Sequence, residues 1–277
     1  MKPTIPSILL FVFSLIISIN ASAQLITEAN RCYSDKNYGC AVPKYIEVLK
    51  TKVYQEKDLA TIQYRVGYGY AKMDMDKEAI PYLKAALKTK PDFGAATWEL
   101  ASAYFNVDSF SRSEEYYGKS IPFYKDDTSS LKRIYYWKGY ALYRDRLYSD
   151  AIKDFLQAYQ IDSTTDYIIT ALGDVSYELK NYIDAKKYYA KSIASAEKGK
   201  MNNDALGTRY FWYGQALFNL KEYTESKQAF DKARGFGYEQ RRIDWALGGS
   251  TFNMKLYRNR STTTQKQSGI MEGTLLH

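Results

Sequence analysis

Small and large apolar residues recur at fixed offsets along most of the chain. A first column of small residues is followed, twelve residues later, by a second column. The first column is Ala29, Gly67, Ala101, Gly139, Gly173, Gly214 and Gly248, and the second is Ala41, Ala79, Ser113, Ala151, Ala185, Ser226 and Arg260. The first column recurs at intervals of 34 to 41 residues, a period typical of stacked helical hairpins and not of one globular core.

Large side chains are interleaved with these columns. Sixteen residues after each first-column position comes a plug column, which consists of Tyr45, Leu83, Tyr117, Phe155, Tyr189 and Phe230. Nineteen residues after it comes a column of smaller side chains, from Val48 to Ala233. This alternation predicts two closely packed helices per repeat, with the plug filling the gap towards the neighbouring hairpin. One hairpin cannot bury such a face alone, so we expect neighbouring hairpins to stack.

The fourth repeat resembles the tetratricopeptide repeat. It has GYALY at residues 139–143, followed by Ala151, Phe155 and Ala158 in the order of that family's pattern. The second repeat matches most fully, because it also has the closing Pro91, whereas Arg260 breaks the second column in the last repeat. The resemblance covers about residues 25–260. It implies an all-α, right-handed superhelical solenoid of antiparallel helix pairs, with six full repeats and a partial seventh.

The longer intervals place extra residues at three points of the array. These are Lys52 to Asp58, Lys125 to Ser130 and Ala196 to Gly207. We expect lengthened second helices or surface loops there.

Residues 1–23 have the form of a cleaved export signal. Lys2 precedes an apolar run from Ser7 to Ile19, and Ala21-Ser22-Ala23 is a small-x-small cleavage site before Gln24. An uncleaved membrane anchor is the alternative, but the run is shorter than the roughly 20 residues that span a bilayer. We therefore expect an exported, periplasmic or envelope-associated chain without a transmembrane span, whose composition resembles Bacteroidetes envelope proteins.

Two further segments complete the predicted organisation. Residues 24–259 form the repeat domain. Residues 260–277 lose apolar periodicity and are rich in serine, threonine and glutamine at their start, so we expect a disordered tail.

Cys32 and Cys40 are the two cysteines of the chain and flank a predicted turn at residues 35–37. Residues placed in this way on a helical hairpin come within disulfide distance, and an exported protein meets an oxidising compartment. The alternative is a pair of buried small apolar side chains. A zinc site is disfavoured because no histidine is nearby in the sequence.

Candidate catalytic chemistry is sparse. The single histidine is His277, at the end of the predicted tail, so the usual general base and metal ligand are missing from the repeats. No phosphate-binding loop, dinucleotide fingerprint or nucleophile elbow occurs. We expect a protein that is not an enzyme and has no cofactor and no metal.

Aromatic residues predict a binding groove on the first helices. Positions three before, one after and four after the first column share a helical face, and in tetratricopeptide repeats the first helix lines the concave surface. The candidate ligand-binding residues are Tyr64, Tyr68, Trp98, Tyr136, Tyr140, Phe211 and Trp245. The position four residues after the first column is aromatic in most repeats, and this constancy favours packing between hairpins. It holds Tyr33, Phe105, Tyr143, Tyr177, Phe218 and Phe252. The alternative is that the candidate residues, like these more constant ones, only pack against the next repeat.

Two functions remain from this sequence. The first is a protein–protein interaction scaffold of the bacterial envelope that binds a peptide or partner domain in the aromatic groove. The second is a glycan- or peptidoglycan-binding module, in which Asp174, Gln215 and Asn219 would supply polar groups beside the rings. The formal charge of +8 is concentrated towards the C-terminal end, where we expect an acidic envelope partner or a solvated face and not nucleic acid.

Overall fold

The structure is a computed structural model in which residues 24–52, 54–199, 202–239, 242–253 and 255 are described. Their regular elements are all helical, and these residues contain no strand. The helices are α1 (24–34), α2 (Tyr38–Thr51), α3 (Glu56–Ala71), α4 (Asp76–Thr89), α5 (Gly94–Asn106), α6 (Phe110–Ser120), α7 (Thr128–Arg144), α8 (Tyr148–Ile161), α9 (Asp166–Glu178), α10 (Tyr182–Lys198), α11 (Asn203–Asn219), α12 (Tyr223–Gly235) and α13 (242–253). A short 3-10 helix, Ile121–Phe123, follows α6.

The predicted all-α class of helix pairs is confirmed. No helix in the described part of the chain has the length and apolarity needed to cross a membrane. The export signal predicted for residues 1–23 and the tail predicted for residues 260–277 lie outside the described residues.

The chain divides into two compact units, one ending at Arg146 and the other beginning at Leu147. In the first unit, consecutive helices pack together from α2 to α7. In the second unit, they do so from α8 to α12. The sequence columns continue through residue 146 without a change of spacing, so they do not indicate this division.

The predicted columns form the core of the hairpins. The second column from Ala41 to Ser226, and the plug column from Tyr45 to Phe230, are at most 1% exposed. In the second, fifth and sixth repeats, the plug lies directly over the first-column glycine of its own hairpin, not only towards the neighbour. A Cβ atom on Gly173 would lie 2.8 Å from Cδ1 of Tyr189, and one on Gly214 would lie 2.7 Å from Cε1 of Phe230. The small residue therefore makes room for a large one.

The turn within each hairpin has the same backbone geometry. Its residue with positive φ is always the seventh after the first column, and φ there lies between 57° and 66°, at Lys36, Asp74, Asp108, Arg146, Lys180 and Lys221. In the fifth repeat, the Asn181 amide donates to the Ser176 carbonyl and the Lys180 amide donates to the Tyr177 carbonyl. These are the bonds of a Schellman motif, which ends one helix and sets the direction of the next.

The extra residues of the long intervals lie mainly at the start of first helices. Helices α3, α7 and α11 have 16 or 17 residues, whereas α5 and α9 have 13. The expected forms are lengthened second helices or surface loops. Among the second helices before these insertions, only α10 is lengthened, to 17 residues. The added turn of α11 buries Leu206, and this burial favours its helical form.

A disulfide joins the helices of the first hairpin. Cys32 in α1 and Cys40 in α2 are linked, with their Cα atoms 5.7 Å apart. Cys32 is buried beside Ala41 and Tyr45. The bond thus closes the turn that contains Lys36.

Helix α13 has one covered face and one exposed face in the described structure. Ile243, Ala246 and Ser250 are buried, and Ser250 Oγ lies 3.2 Å from Ser226 Oγ in α12. Gly248, the last member of the first column, is exposed and has no side chain of the described residues over it. The described part of the seventh repeat is therefore a first helix alone.

Candidate functional site

The predicted binding residues lie on first helices in both units. The first unit contains Tyr64 and Tyr68 in α3, Trp98 in α5, and Tyr136 and Tyr140 in α7. The second contains Phe211 in α11 and Trp245 in α13. We call the surface formed by positions three before, one after and four after the first column the aromatic face, and we describe it separately for each unit. All four tryptophans of the chain, Trp98, Trp137, Trp212 and Trp245, lie on first helices.

In α3, Tyr64 and Tyr68 belong to a continuous group of half-buried rings. Their centroids are 5.7 Å apart, and Tyr64 also lies 4.9 Å from Phe93. Tyr68 lies 5.8 Å from Tyr33 and has the Lys72 ammonium 4.6 Å from its centroid. Burial raises the pKa of the Tyr64 hydroxyl, so this group is a neutral hydrogen-bonding phenol at physiological pH.

A cation lies beside this group of rings. Nη1 of Arg65 donates to Tyr45 Oη at 3.0 Å and to Asn30 Oδ1. The guanidinium carbon lies 5.2 Å from the centroid of Tyr33. Arg65 therefore connects the first and second repeats through a polar network on the aromatic face.

Trp98 in α5 is held by a ring and a cation. It makes an edge contact with Tyr124, with centroids 5.2 Å apart, and the Arg133 guanidinium lies 5.0 Å from its ring. The adjacent Glu99 pairs with Lys72 at 3.8 Å. Burial raises the pKa of Glu99, and the charges of Lys72 and Arg133 oppose that rise.

In helix α7, three tyrosine side chains stack with nearly parallel ring planes. Tyr136 and Tyr140 stack with centroids 5.9 Å apart and ring planes inclined by 6°. Tyr143 continues the stack at 6.1 Å, and Phe105 from α5 stacks on Tyr140 at 5.5 Å. The structure therefore brings predicted binding residues together with rings predicted to pack between hairpins.

In the second unit, the aromatic face contains a pocket of about 500 Å³. It is lined by Tyr177, Phe211, Trp212, Gln215, Arg242 and Trp245. Trp245 is 76% exposed, whereas Phe211 is 3% exposed and packs against Tyr238 at 4.6 Å. Of the two predicted residues, Trp245 offers most of its ring to a ligand, and Phe211 forms part of the floor.

The sequence did not single out four of these lining residues as binding residues of this pocket. Tyr177 was assigned to packing, and it contacts Trp212 at 5.3 Å. Trp212 lies two residues before the first column and outside the predicted positions. The sequence indicates Gln215 only for a glycan site, and Arg242 belongs to the basic C-terminal end of the chain. Arg242 lies 5.2 Å from the Phe211 centroid and 4.0 Å from Glu239.

Asp174 is a largely buried carboxylate on α9, three residues before Tyr177. Its Oδ1 accepts a hydrogen bond of 2.8 Å from the Tyr189 hydroxyl. Burial raises the pKa of Asp174 to about 6, and the bond from Tyr189 opposes this rise. Among the described residues, no lysine or arginine lies within ion-pair distance of this carboxylate. Arg209, whose charge acts on it from further away, is paired with Asp166.

Asp174 belongs to a residue pattern that alternates between odd-numbered and even-numbered repeats. In the first, third and fifth repeats, the plug residue is a tyrosine. Its hydroxyl donates a hydrogen bond to the polar residue that directly follows the first-column residue, and the pairs are Tyr45–Asn30, Tyr117–Ser102 and Tyr189–Asp174. In the second, fourth and sixth repeats, the plugs are Leu83, Phe155 and Phe230, and the same position holds Tyr68, Tyr140 and Gln215. Equivalent residues are 72 or 75 apart, so the array consists of double repeats.

The described residues contain no group of three histidine, cysteine, aspartate or glutamate side chains that could hold a metal ion. What they offer instead is an array of rings with polar groups and charges at their edges. Such a surface supplies rigid contact area for a ligand together with hydrogen bonds that orient it.

Comparison with known proteins identifies the repeat. The profile of the tetratricopeptide repeat matches residues 132–165 and 208–233. No curated protein matches the chain.

Solved structures share the fold at low sequence identity. MamA 41-end from Desulfovibrio magneticus RS-1 has a TM-score of 0.56 and 16% identity, and covers 64% of this chain and 96% of its own. YrrB, described as a TPR protein with an unusual peptide-binding site, has a TM-score of 0.58 and 11% identity, and covers 69% of this chain and 92% of its own. A tetratricopeptide repeat protein from Parabacteroides merdae has a TM-score of 0.53 and 13% identity, and covers 84% of this chain and 99% of its own.

Proposed function

We propose that this chain, which is a tetratricopeptide-repeat protein, is a non-enzymatic interaction scaffold that binds a peptide or a partner domain on its aromatic face. The observation that carries the proposal is the pocket of about 500 Å³ at α11 and α13. Its apolar rings adjoin a tryptophan that is 76% exposed. An exposed tryptophan beside a formed pocket is a typical anchor for a protein ligand.

The chemistry of the face suits a peptide. Tyrosine and tryptophan contribute large contact areas and lose little side-chain entropy on binding, and their polar tips bond to backbone groups. Arg65, Gln215 and Arg242 lie at the edges of the rings, where they would orient a backbone or an acidic side chain. The similarly folded YrrB is described by its peptide-binding site, which supports the same class of ligand here.

The binding test compares three forms of the chain. The first is wild type, the second carries Tyr177→Ala, Gln215→Ala and Trp245→Ala, which removes three aromatic-face side chains that line the pocket, and the third is a control. The control carries Tyr116→Ala, Tyr159→Ala and Tyr188→Ala, which removes three rings from second helices. A peptide library is screened with wild type, and the affinities of the selected peptides are measured by tryptophan fluorescence after circular dichroism has shown that all forms are folded.

We expect the aromatic-face variant to bind at least about thirtyfold more weakly, since loss of an anchor costs 2 kcal/mol or more. The control should retain its affinity. Equal binding by all three forms would show that the ligand lies elsewhere. Failure of wild type to select any peptide would contradict the proposed function.

Glycan binding is the second candidate, because polar groups adjoin the pocket. Gln215 lines it, and Asn219 donates to the Tyr177 hydroxyl at 3.3 Å. Soluble peptidoglycan fragments that change the tryptophan fluorescence of wild type, when no peptide does so, would favour this candidate.

We further propose that the chain is exported and acts in the bacterial envelope. Support comes from the signal-like residues 1–23 and from a Cys32–Cys40 disulfide suited to an oxidising compartment. N-terminal sequencing of the protein recovered from its host should begin at Gln24. A chain that begins at Met1 and is found in the cytoplasm would contradict export.

A further inference from the structure

Asp174 has a charge that the described structure does not compensate. One carboxylate oxygen accepts the hydrogen bond from Tyr189, and the other has no hydrogen-bond partner among the described residues and keeps some contact with solvent. Burial of a carboxylate without a cation is unfavourable. The equivalent positions in the first and third repeats hold the neutral residues Asn30 and Ser102, which accept the same tyrosine hydrogen bond. The negative charge of Asp174 is therefore not needed for packing.

The surroundings of Asp174 suit a cationic side chain. Tyr177 follows it by one helical turn on the same face and lines the pocket with Trp212. A buried carboxylate next to aromatic rings binds an ammonium or guanidinium group through charge and cation–π attraction together.

The nearby arginines already have partners. Arg209 pairs with Asp166, and Arg242, which lines the pocket, lies near Glu239 and over Phe211. Neither arginine forms an ion pair with Asp174, although the charge of Arg209 acts on it from further away. The carboxylate of Asp174 thus adds a negative charge one helical turn from Tyr177, which lines the apolar pocket.

We propose that Asp174 and Tyr177 form a subsite for a lysine or arginine side chain of a bound peptide, and that an adjoining apolar residue of that peptide occupies the pocket beside Trp212 and Trp245. The proposal rests on the proposed function and names the class of peptide that the second unit selects. The peptide's cation supplies the missing partner of Asp174, while the pocket excludes water from the apolar residue.

The test is a selection from a random peptide library displayed on phage. Full-length wild type, the Asp174→Asn variant and the Glu225→Gln variant are each used as bait. Asparagine keeps an acceptor for Tyr189, so we expect Asp174→Asn to fold, and its melting temperature is measured beside wild type. Glu225 is an exposed residue of α12, and its replacement removes the same charge away from the face. Each peptide selected by wild type is also made with its basic residue replaced by norleucine, which keeps the length of the stem.

We expect wild type and Glu225→Gln to enrich peptides with a lysine or arginine next to an apolar residue, and Asp174→Asn to lose this enrichment. Norleucine should weaken binding to wild type by about tenfold or more and have little effect on Asp174→Asn. The Tyr177→Leu variant, which keeps an apolar side chain, should reduce the preference for the cation in part.

The outcomes separate this inference from the proposed function. Selection of peptides without enrichment of basic residues overturns the subsite but not the function. Equal enrichment by wild type and a folded Asp174→Asn does the same. Selection of no peptide by wild type overturns both.

Discussion

Among single residues, Asp174 has the clearest dependence of stability on pH. Its folded-state pKa is raised to about 6 from an ordinary value of 3.8, so the unfolded chain releases the proton at lower pH than the folded chain. The contribution of this group to stability is therefore fully present below about pH 3.8 and is lost as the pH rises through about 6.

We expect Asp174→Asn to stabilise the protein, and to do so more at higher pH. The gain in unfolding free energy should rise from about 1 kcal/mol near pH 4.5 towards about 3 kcal/mol near pH 7.5, taken as upper values because the side chain keeps some contact with solvent. Urea unfolding of wild type and of Asp174→Asn at the two pH values measures this gain. Glu225→Gln should show no such increase. A gain that is equal at both pH values would contradict the raised pKa.

The turn residues permit a second prediction about single residues. Lys180 has φ of 60°, which is unfavourable for a residue with a Cβ atom and suits glycine at the end of a helix. Lys180→Gly should therefore raise stability by about 0.5 to 1 kcal/mol. The matched control is Lys187→Gly, within α10 of the same hairpin, which should lower it by about 1 kcal/mol. If both substitutions destabilise equally in thermal unfolding, the turn has no such preference.

At the scale of the element, the first hairpin should depend on its disulfide. The bond between Cys32 and Cys40 restricts the unfolded α1–α2 hairpin, and the loop-closure relation gives about 2 to 3 kcal/mol for a loop of this length. We expect a reducing agent to speed amide exchange in α1 and α2, whereas α5 and α6 stay protected because repeats interact chiefly with neighbours. The Cys32→Ala/Cys40→Ala variant should exchange as the reduced protein does and not respond to the reductant.

The hairpins are also where sequence reasoning was most accurate. The spacing of Gly173, Ala185 and Tyr189 determines which helix faces meet, because the period of a helix and the requirement for close packing leave few alternatives. The binding face was predicted less completely, since periodicity does not show which neighbouring segment covers a residue. Phe211 shares its helical position with Trp245, yet Tyr238 covers Phe211 and Trp245 is exposed. The pocket depends on such contacts between segments distant in sequence.

At the scale of the molecule, the chain divides into two compact units, with the boundary between residues 146 and 147. The buried clusters around Tyr45, Leu83 and Tyr117 lie in the first unit. Those around Tyr189 and Phe230 lie in the second. Because each unit contains its own core, we expect the fragments 24–146 and 147–255 to be helical and to melt cooperatively when expressed separately.

A cut elsewhere in the array provides the control for that prediction. Both cuts fall in the turn of a hairpin, but a division between Lys180 and Asn181 lies inside the second compact unit. It would separate Gly173 from Tyr189, whose ring fits against the glycine, and α9 from α10, which pack together. Exposure of one such tyrosine alone costs about 2 kcal/mol, and the paired helix loses its packed face as well. We therefore expect fragments 24–180 and 181–255 to be less stable in thermal unfolding than the first pair. If both pairs melt alike, stability is spread evenly along the repeats, and the division at residue 146 has no energetic meaning.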